Sequence, residues 1–244
     1  PKPIDFYPFH PDSKTGVDVA SADIDGDGKD EIIMSQFRNG DPWVKVYRYN
    51  SSRTVVGVWM AYDAGHNFGA TVAAGDVDYD GKAEVVTGAG PQGDPHVRVF
   101  ESDGTYKGDI YAFPAYGLGF NKQDSRQGID VSVADVDGDF KPEIGASVLG
   151  NAQSWAKVFK WNEHNNIVTE LKAYEPKWVG ANMSMGDLDG DNVSELVFGA
   201  GFKGGPHVKS FETNKHQRVW PDFFAYDKNF RGGTDVEVGY TDRF

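Results

Sequence analysis

The sequence predicts an all-β protein assembled from four copies of a four-stranded unit, each copy carrying an acidic loop. Three observations point there. A ten-residue acidic segment recurs at 22–31 (ADIDGDGKDE), 75–84 (GDVDYDGKAE), 134–143 (ADVDGDFKPE) and 186–195 (GDLDGDNVSE). The apolar runs around each copy are short, alternate with period two, and are divided by Gly, Pro, Asn and Asp. No stretch sustains a helical period over ten residues.

The elements of one unit follow in a fixed order. An alternating run precedes each acidic segment (GVDVASADI, GATVAAGDV, GIDVSVADV, GANMSMGDL). A compact apolar run follows it (EIIMS, EVVTG, EIGAS, ELVFG). A third run is PWVKVYRY, PHVRVFES, SWAKVFKW or PHVKSFET, and a fourth carries VWMAY, IYAF, LKAY or FFAY. These are four strands per unit, rich in β-branched and aromatic residues. The first Asp of each acidic segment is Asp23, Asp76, Asp135 and Asp187, giving spacings of 53, 59 and 52 residues, the long one absorbed by extra residues near 120–128. Four strands in ~50 residues is the pattern of a β-propeller blade, which buries its sheet faces only against neighbours. A string of independent β domains is the alternative.

The chain is therefore read as one propeller domain over 1–244, with units at about 16–62, 69–116, 128–174 and 179–226. Its ends look like further pieces of the repeat. IDFYPFH at 4–10 resembles a fourth strand, and 233–239 within FRGGTDVEVGYTDRF resembles a first strand. The expectation is a partial fifth blade made from the two ends, or else a fragment of a larger ring. In that fifth copy Tyr240 and Asp242 stand where the first two aspartates belong, so no loop forms there.

Within each acidic loop, positions 1, 3, 5 and 9 are carboxylates. They are Asp23, Asp25, Asp27 and Glu31; Asp76, Asp78, Asp80 and Glu84; Asp135, Asp137, Asp139 and Glu143; Asp187, Asp189, Asp191 and Glu195. Carboxylates at alternate positions of a tight loop converge on one point, and they repel one another unless a cation joins them. The backbone carbonyl at position 7 is a further candidate ligand, supplied by Lys29, Lys82, Lys141 and Val193. An all-oxygen set favours Ca²⁺ over zinc or copper, and Mg²⁺ fits less well because it demands a strict octahedron. An acidic, solvated turn is the competing reading of one such loop; four copies in one register argue against it. Position 6 needs a left-handed backbone, which Gly28, Gly81 and Asn192 accept readily and Phe140 does not. The third site is therefore expected to be the weakest of up to four calcium sites.

Charge agrees. The net charge is −13, from 37 acidic and 24 basic residues. The loops hold 16 of the acidic residues, and without them the chain has 21 acidic against 24 basic. Such acidity disfavours nucleic acid and anionic lipid as partners. The chain has no cysteine, which excludes disulfides and Cys-ligated zinc. No run of about 20 apolar residues spans a membrane. The chain begins at Pro1 without Met, as expected of a mature or excised piece.

At the loops the sequence resembles the FG-GAP, or VCBS, repeat family, through DIDGDGKDE, DVDYDGKAE, DVDGDFKPE and DLDGDNVSE. The Gly-rich turns TGAGPQGDPHVRVF and FGAGFKGGPHVKSF add a second, weaker signature. This family occurs in the propeller of integrin α-subunits and in bacterial surface proteins. The resemblance implies a calcium-binding propeller in an extracellular or cell-surface setting. Integrin propellers have seven blades, so four and a half repeats departs from that pattern. The family includes adhesion modules, lectins and polysaccharide lyases, among which fold alone does not choose.

A candidate ligand surface is marked at the start of the third strands by Trp43, His96, Trp155 and His207, each followed two residues on by Lys45, Arg98, Lys157 or Lys209. Aromatic and basic side chains on one strand face suit a carbohydrate or an anionic ligand; packing between blades is the architectural alternative. The residues form no recognisable catalytic constellation. The expected function is a calcium-stabilised extracellular module that binds carbohydrate or protein without catalysis. The alternatives are a lyase-type propeller and a purely structural surface or filament repeat.

Overall fold

The computed structural model describes residues 5–113, 126–150, 153–161, 166–175, 179–213 and 217–239. Most of the expected insertion at 120–128, the end of the second unit at 114–116, Ile4, Tyr240 and Asp242 lie outside the described residues.

Sixteen strands form four separate antiparallel sheets among the described residues, and no α-helix occurs there. Blade one is β1 (Val17–Ala22), β2 (Glu31–Gln36), β3 (Trp43–Arg48) and β4 (Val55–Met60). Blade two is β5 (Ala70–Gly75), β6 (Glu84–Ala89), β7 (His96–Phe100) and β8 (Tyr106–Tyr111). Blade three is β9 (Ile129–Ala134), β10 (Glu143–Val148), β11 (Trp155–Phe159) and β12 (Ile167–Lys172). Blade four is β13 (Ala181–Gly186), β14 (Glu195–Ala200), β15 (His207–Phe211) and a short β16 (Phe223–Phe224). In every blade the strands lie side by side in chain order. The four sheets form a β-propeller.

The register explains why the acidic loops are alike. Ala22 pairs with Glu31, Gly75 with Glu84, Ala134 with Glu143 and Gly186 with Glu195. The glutamate at loop position 9 is thus the first residue of the second strand every time, and the loop always spans the same frame.

Packing runs between blades. One apolar cluster joins blades one and two around Ile33, Val44, Val72 and Val85; another joins two and three around Val86, Val99, Ile129 and Ile144; a third joins three and four around Val158, Met183, Leu196 and Phe198. The second strands of blades two, three and four are buried along their whole length, as strands covered on both faces must be. β2 instead alternates buried with half-buried residues, because blade two covers one face and the other is covered only in part.

The far face of β14 is covered by the segment 233–238. Thr234 N–H donates to the Ala200 carbonyl (2.8 Å), Asn182 Nδ2 to the Thr234 carbonyl (2.8 Å), and Val238 N–H to Ser184 Oγ (3.0 Å). A Cβ at Gly199 would meet the Thr234 carbonyl oxygen at 2.1 Å, so only glycine allows this approach. The same kind of bond joins earlier blades: Val72 N–H to Asp18 Oδ2, Met183 N–H to Asp130 Oδ2 (both 2.8 Å) and Met185 N–H to Ser132 Oγ (3.0 Å). At the other end Pro8 accepts from Lys45 Nζ (2.7 Å), just as Ala61 accepts from Arg98 and Ala173 from Lys209 (both 2.9 Å).

Among the described residues the chain ends expected to make a fifth blade do not form a sheet. Neither 5–10 nor 233–239 pairs as a strand. The blade order supplies a physical reason. First and fourth strands are never neighbours in a 1-2-3-4 sheet, so two ends with those characters have no edge to share.

Candidate metal centres

Each loop is first held by its own backbone. The aspartate at position 1 accepts from the N–H groups of positions 4 and 6: Gly26 and Gly28 to Asp23 (2.8 and 2.7 Å), Gly138 and Phe140 to Asp135 (2.8 and 2.7 Å), Gly190 and Asn192 to Asp187 (2.6 and 2.9 Å). Asp76 accepts from Asp80 and Gly81, both at 3.0 Å. The position 5 aspartates Asp80, Asp139 and Asp191 accept the N–H of position 7, at 2.9, 2.9 and 2.8 Å. These bonds require positive φ at position 6, at Gly28, Gly81, Phe140 and Asn192 alike. Phe140 adopts it, at φ 64°, and loop three keeps the hydrogen-bond pattern of the others.

The glutamate at position 9 faces two ways. One oxygen accepts the N–H of position 2: Val77 to Glu84 (2.9 Å), Val136 to Glu143 (3.0 Å), Leu188 to Glu195 (2.7 Å). These side chains and Glu31 are almost fully buried. Burial, aided by the neighbouring aspartates, pushes Glu143 and Glu195 up to about 7; burial pushes Glu84 to about 7 against the hydrogen bond from Lys107. Glu31 is raised for the same first reason.

In three loops position 9 meets positions 1 and 3. Ligand atoms of Asp76, Asp78 and Glu84, of Asp135, Asp137 and Glu143, and of Asp187, Asp189 and Glu195 lie within 4.8 Å of one another. In loop one the group is Asp23, Asp25 and Asp27. Asp80, Asp139, Asp191 and Glu31 stand outside these groups. The residues fit a hard cation on one specific count: Glu31 Oε2, Glu143 Oε1 and Asp78 Oδ1 are buried oxygens with no hydrogen-bond partner. Such oxygens could accept a metal ion.

Neighbouring loops also touch. Ala83 N–H donates to the Asp23 carbonyl (3.0 Å) and Ser194 N–H to the Asp135 carbonyl (2.8 Å). Between loops two and three the equivalent donor position is Pro142, which has no N–H.

Three cations invade the loops, and the sequence reading missed them. Arg48 pairs with Asp25 and with Asp27 (3.4 Å). Lys107 pairs with Asp78, with Glu84 (3.1 Å) and with Glu101 (2.7 Å). Lys160 pairs with Asp137 and Asp139 (both 2.7 Å) and with Glu143 (3.6 Å). Asp137 and Asp139 hold the Lys160 ammonium above its ordinary pKa. No loop spacing signals these residues, since Arg48 and Lys107 come from the third and fourth strands and Lys160 directly follows a third strand.

The residues proposed for a ligand surface stand at the other end of the blades, where second strands turn into third strands. His96 is buried, bonded to Asp109 (2.7 Å) and stacked on Tyr111 at 4.3 Å between centroids. His207 bonds Asp222 (3.0 Å) and leans on Phe224. Trp43 and Trp155 are half-buried, with the Lys172 ammonium over the Trp155 ring. The basic residues two positions on turn between blades. Lys45, Arg98, Lys157 and Lys209 lie over Phe9, Tyr62, Phe113 and Tyr174 of the preceding unit, at 5.1, 4.9, 5.6 and 4.6 Å. Tyr111 and Phe224, which stack or lean on His96 and His207, are exposed aromatics that sequence reasoning did not single out.

Comparison with known proteins agrees with this geometry. The FG-GAP-like repeat model matches residues 23–87 and the FG-GAP repeat model matches 68–113. Residues 23–113, which hold most of blade one and all of blade two, thus match FG-GAP-type repeats, and blades three and four repeat the same strand order. No curated protein matches the sequence. Among solved structures it is similar to the exotype rhamnogalacturonan lyase YesX, with TM-score 0.52 and 17% identity over 83% of this chain and 40% of the lyase. It is similar to the Bacillus licheniformis rhamnogalacturonan lyase PL11, with TM-score 0.51 and 16% identity over 90% of this chain and 51% of that one. The Dos1 propeller matches with TM-score 0.50 and 12% identity over 85% of this chain and 47% of its own. This chain thus spans about half the length of these proteins or less, and at such identities the likeness is one of fold.

Proposed function

We propose that the protein is a calcium-stabilised binding module that acts outside the cell, without catalysis, and takes a carbohydrate or an extracellular protein as ligand. The observation that carries the calcium reading is the set of buried carboxylate oxygens on Glu31, Glu143 and Asp78 that accept no hydrogen bond. Position 1, 3 and 9 carboxylates would hold the ion in loops two to four, and positions 1, 3 and 5 in loop one, with the remaining carboxylate and the position 7 carbonyl completing the oxygen shell. When bound, calcium neutralises carboxylates that otherwise repel one another.

The place of the loops supports a structural role. Each spans the first and second strands of one blade, and two of them touch the loop of the next. An ion held only by the folded chain stabilises it by about 2.7 kcal/mol per site at a hundredfold excess over Kd. Extracellular modules work with Kd values of about 10⁻⁴–10⁻³ M, which suits a secreted or surface setting.

For the ligand, the supporting feature is the end of the blades opposite the loops, where Trp43, Trp155, Tyr111 and Phe224 offer aromatic area beside His96 and His207. A glycan array on the calcium-loaded protein tests this. Trp43→Ala combined with Tyr111→Ala is expected to remove binding with the melting temperature kept within a few degrees. Binding that survives these changes would remove this surface from consideration. Ultraviolet absorbance of unsaturated products from acidic polysaccharide would replace the binding reading with a lyase.

A further inference from the structure

The four loops differ in the charge that faces them from the third and fourth strands. The sixth residue from the start of the third strand is Arg48, Glu101, Lys160 and Glu212 in blades one to four. In blades one and three this residue is a cation and enters the loop through Asp25 and Asp27, or Asp137 and Asp139. In blade two it is Glu101, but Lys107 reaches across from β8 and bonds Asp78, Glu84 and Glu101 together. In blade four it is Glu212, next in register after the Leu196–Phe211 pair and so set opposite Glu195, as Arg48 is opposite Glu31. Among the described residues no lysine, arginine or histidine pairs with loop four.

Counting the four loop carboxylates with these neighbours gives formal charges of −3, −4, −3 and −5 around the ring. Arg48, Lys107 and Lys160 do the neutralising that an ion would do. An incoming divalent cation must displace or repel a tethered cation in the first three loops. In the fourth, among the described residues, it meets only carboxylates, one of them extra.

We propose that Arg48, Lys107 and Lys160 are built-in counter-ions that compete with calcium in loops one to three, and that Glu212 makes loop four the tightest site and the first to fill. This rests on the calcium reading above. Two consequences follow. Loops one to three keep their shape without metal, because their carboxylates are already bridged. Loop four depends on the ion.

The test is calcium titration by calorimetry on the intact chain, starting from metal-free protein, beside hydrogen exchange in EDTA. The wild type is expected to show one tight site followed by weaker ones. Glu212→Gln is expected to weaken the tight site about tenfold, since a unit charge a few ångströms from a divalent ion is worth about that much even when well screened. Glu212→Asp should restore part of the loss. Lys160→Gln is expected to strengthen a weak site by a similar factor; its melting curve in EDTA reports whether the fold persists. Exchange in EDTA should be faster over 187–195 than over 23–31, 76–84 and 135–143. Equal sites, or a tight site untouched by Glu212→Gln, would overturn this ranking and leave the calcium reading standing. No binding at any site would overturn the calcium reading itself, and the ranking with it.

Discussion

Phe140 shows how strongly the loop geometry dominates residue preference. It sits at φ 64° with 83% of its surface exposed, so the ring gains little from packing while the backbone bears the left-handed conformation. That conformation costs a non-glycine residue about 1–2 kcal/mol. Phe140→Gly is therefore expected to stabilise the metal-free protein by about 0.5–1 kcal/mol, since glycine returns part of the gain to the unfolded chain. Urea denaturation of both proteins measures it; a destabilised variant would show that the ring has a packing role. At this scale the ligand positions were legible because spacing within one loop is local. Arg48, Lys107, Lys160 and Glu212 were not, because they meet the loops only after strands one, two, three and four align.

At the scale of the blade, the seams between sheets are fastened by repeated side-chain bonds. The buried Tyr62 hydroxyl donates to the Thr87 carbonyl (3.0 Å) or the His96 carbonyl (2.7 Å) of the next blade. Tyr174 does the same toward the Phe198 (2.8 Å) and His207 (2.5 Å) carbonyls. Tyr226 is the matching residue of unit four, and it is 62% exposed against 6% for Tyr174. Tyr174→Phe should thus cost about 1–3 kcal/mol, because it strands buried carbonyls. Tyr226→Phe should stay within about 0.5 kcal/mol. Equal effects in chemical denaturation would mean that the seams do not depend on these hydroxyls. The strands themselves were readable from period and composition. Which faces they bury was not, because EVVTGA, EIGASV and ELVFGA look alike whether a neighbour covers one face or two.

For the whole molecule, four first strands and the segment 233–238 meet around the propeller axis, where a cavity of about 390 Å³ is lined by Asp18, Asp130, Asp235 and Glu237 among others. Burial, with Asp235 and Glu237 adding repulsion, pushes Asp18 up to about 6 against the Val72 N–H bond. Asp130 is raised well above the carboxylate range by burial and by Asp18. The folded state thus holds these protons more tightly than the unfolded chain. The stability that the Asp18 proton contributes is complete below about pH 4 and is lost as pH rises through about 6. At saturating calcium, the difference in melting temperature between wild type and Asp18→Asn should move against the wild type across that window. A constant difference from pH 4 to 7 would contradict it. The repeats were legible from the four copies; the acidic axis was not, because Asp18, Asp130 and the Asp235–Glu237 pair lie more than a hundred residues from one another.

The most direct test of the cation reading is a calcium titration of the metal-free protein by calorimetry, paired with melting curves in calcium and in EDTA. The expected result is saturable binding at up to four sites and a melting temperature that falls sharply on chelation. A stoichiometry of zero with an unchanged melt would contradict it.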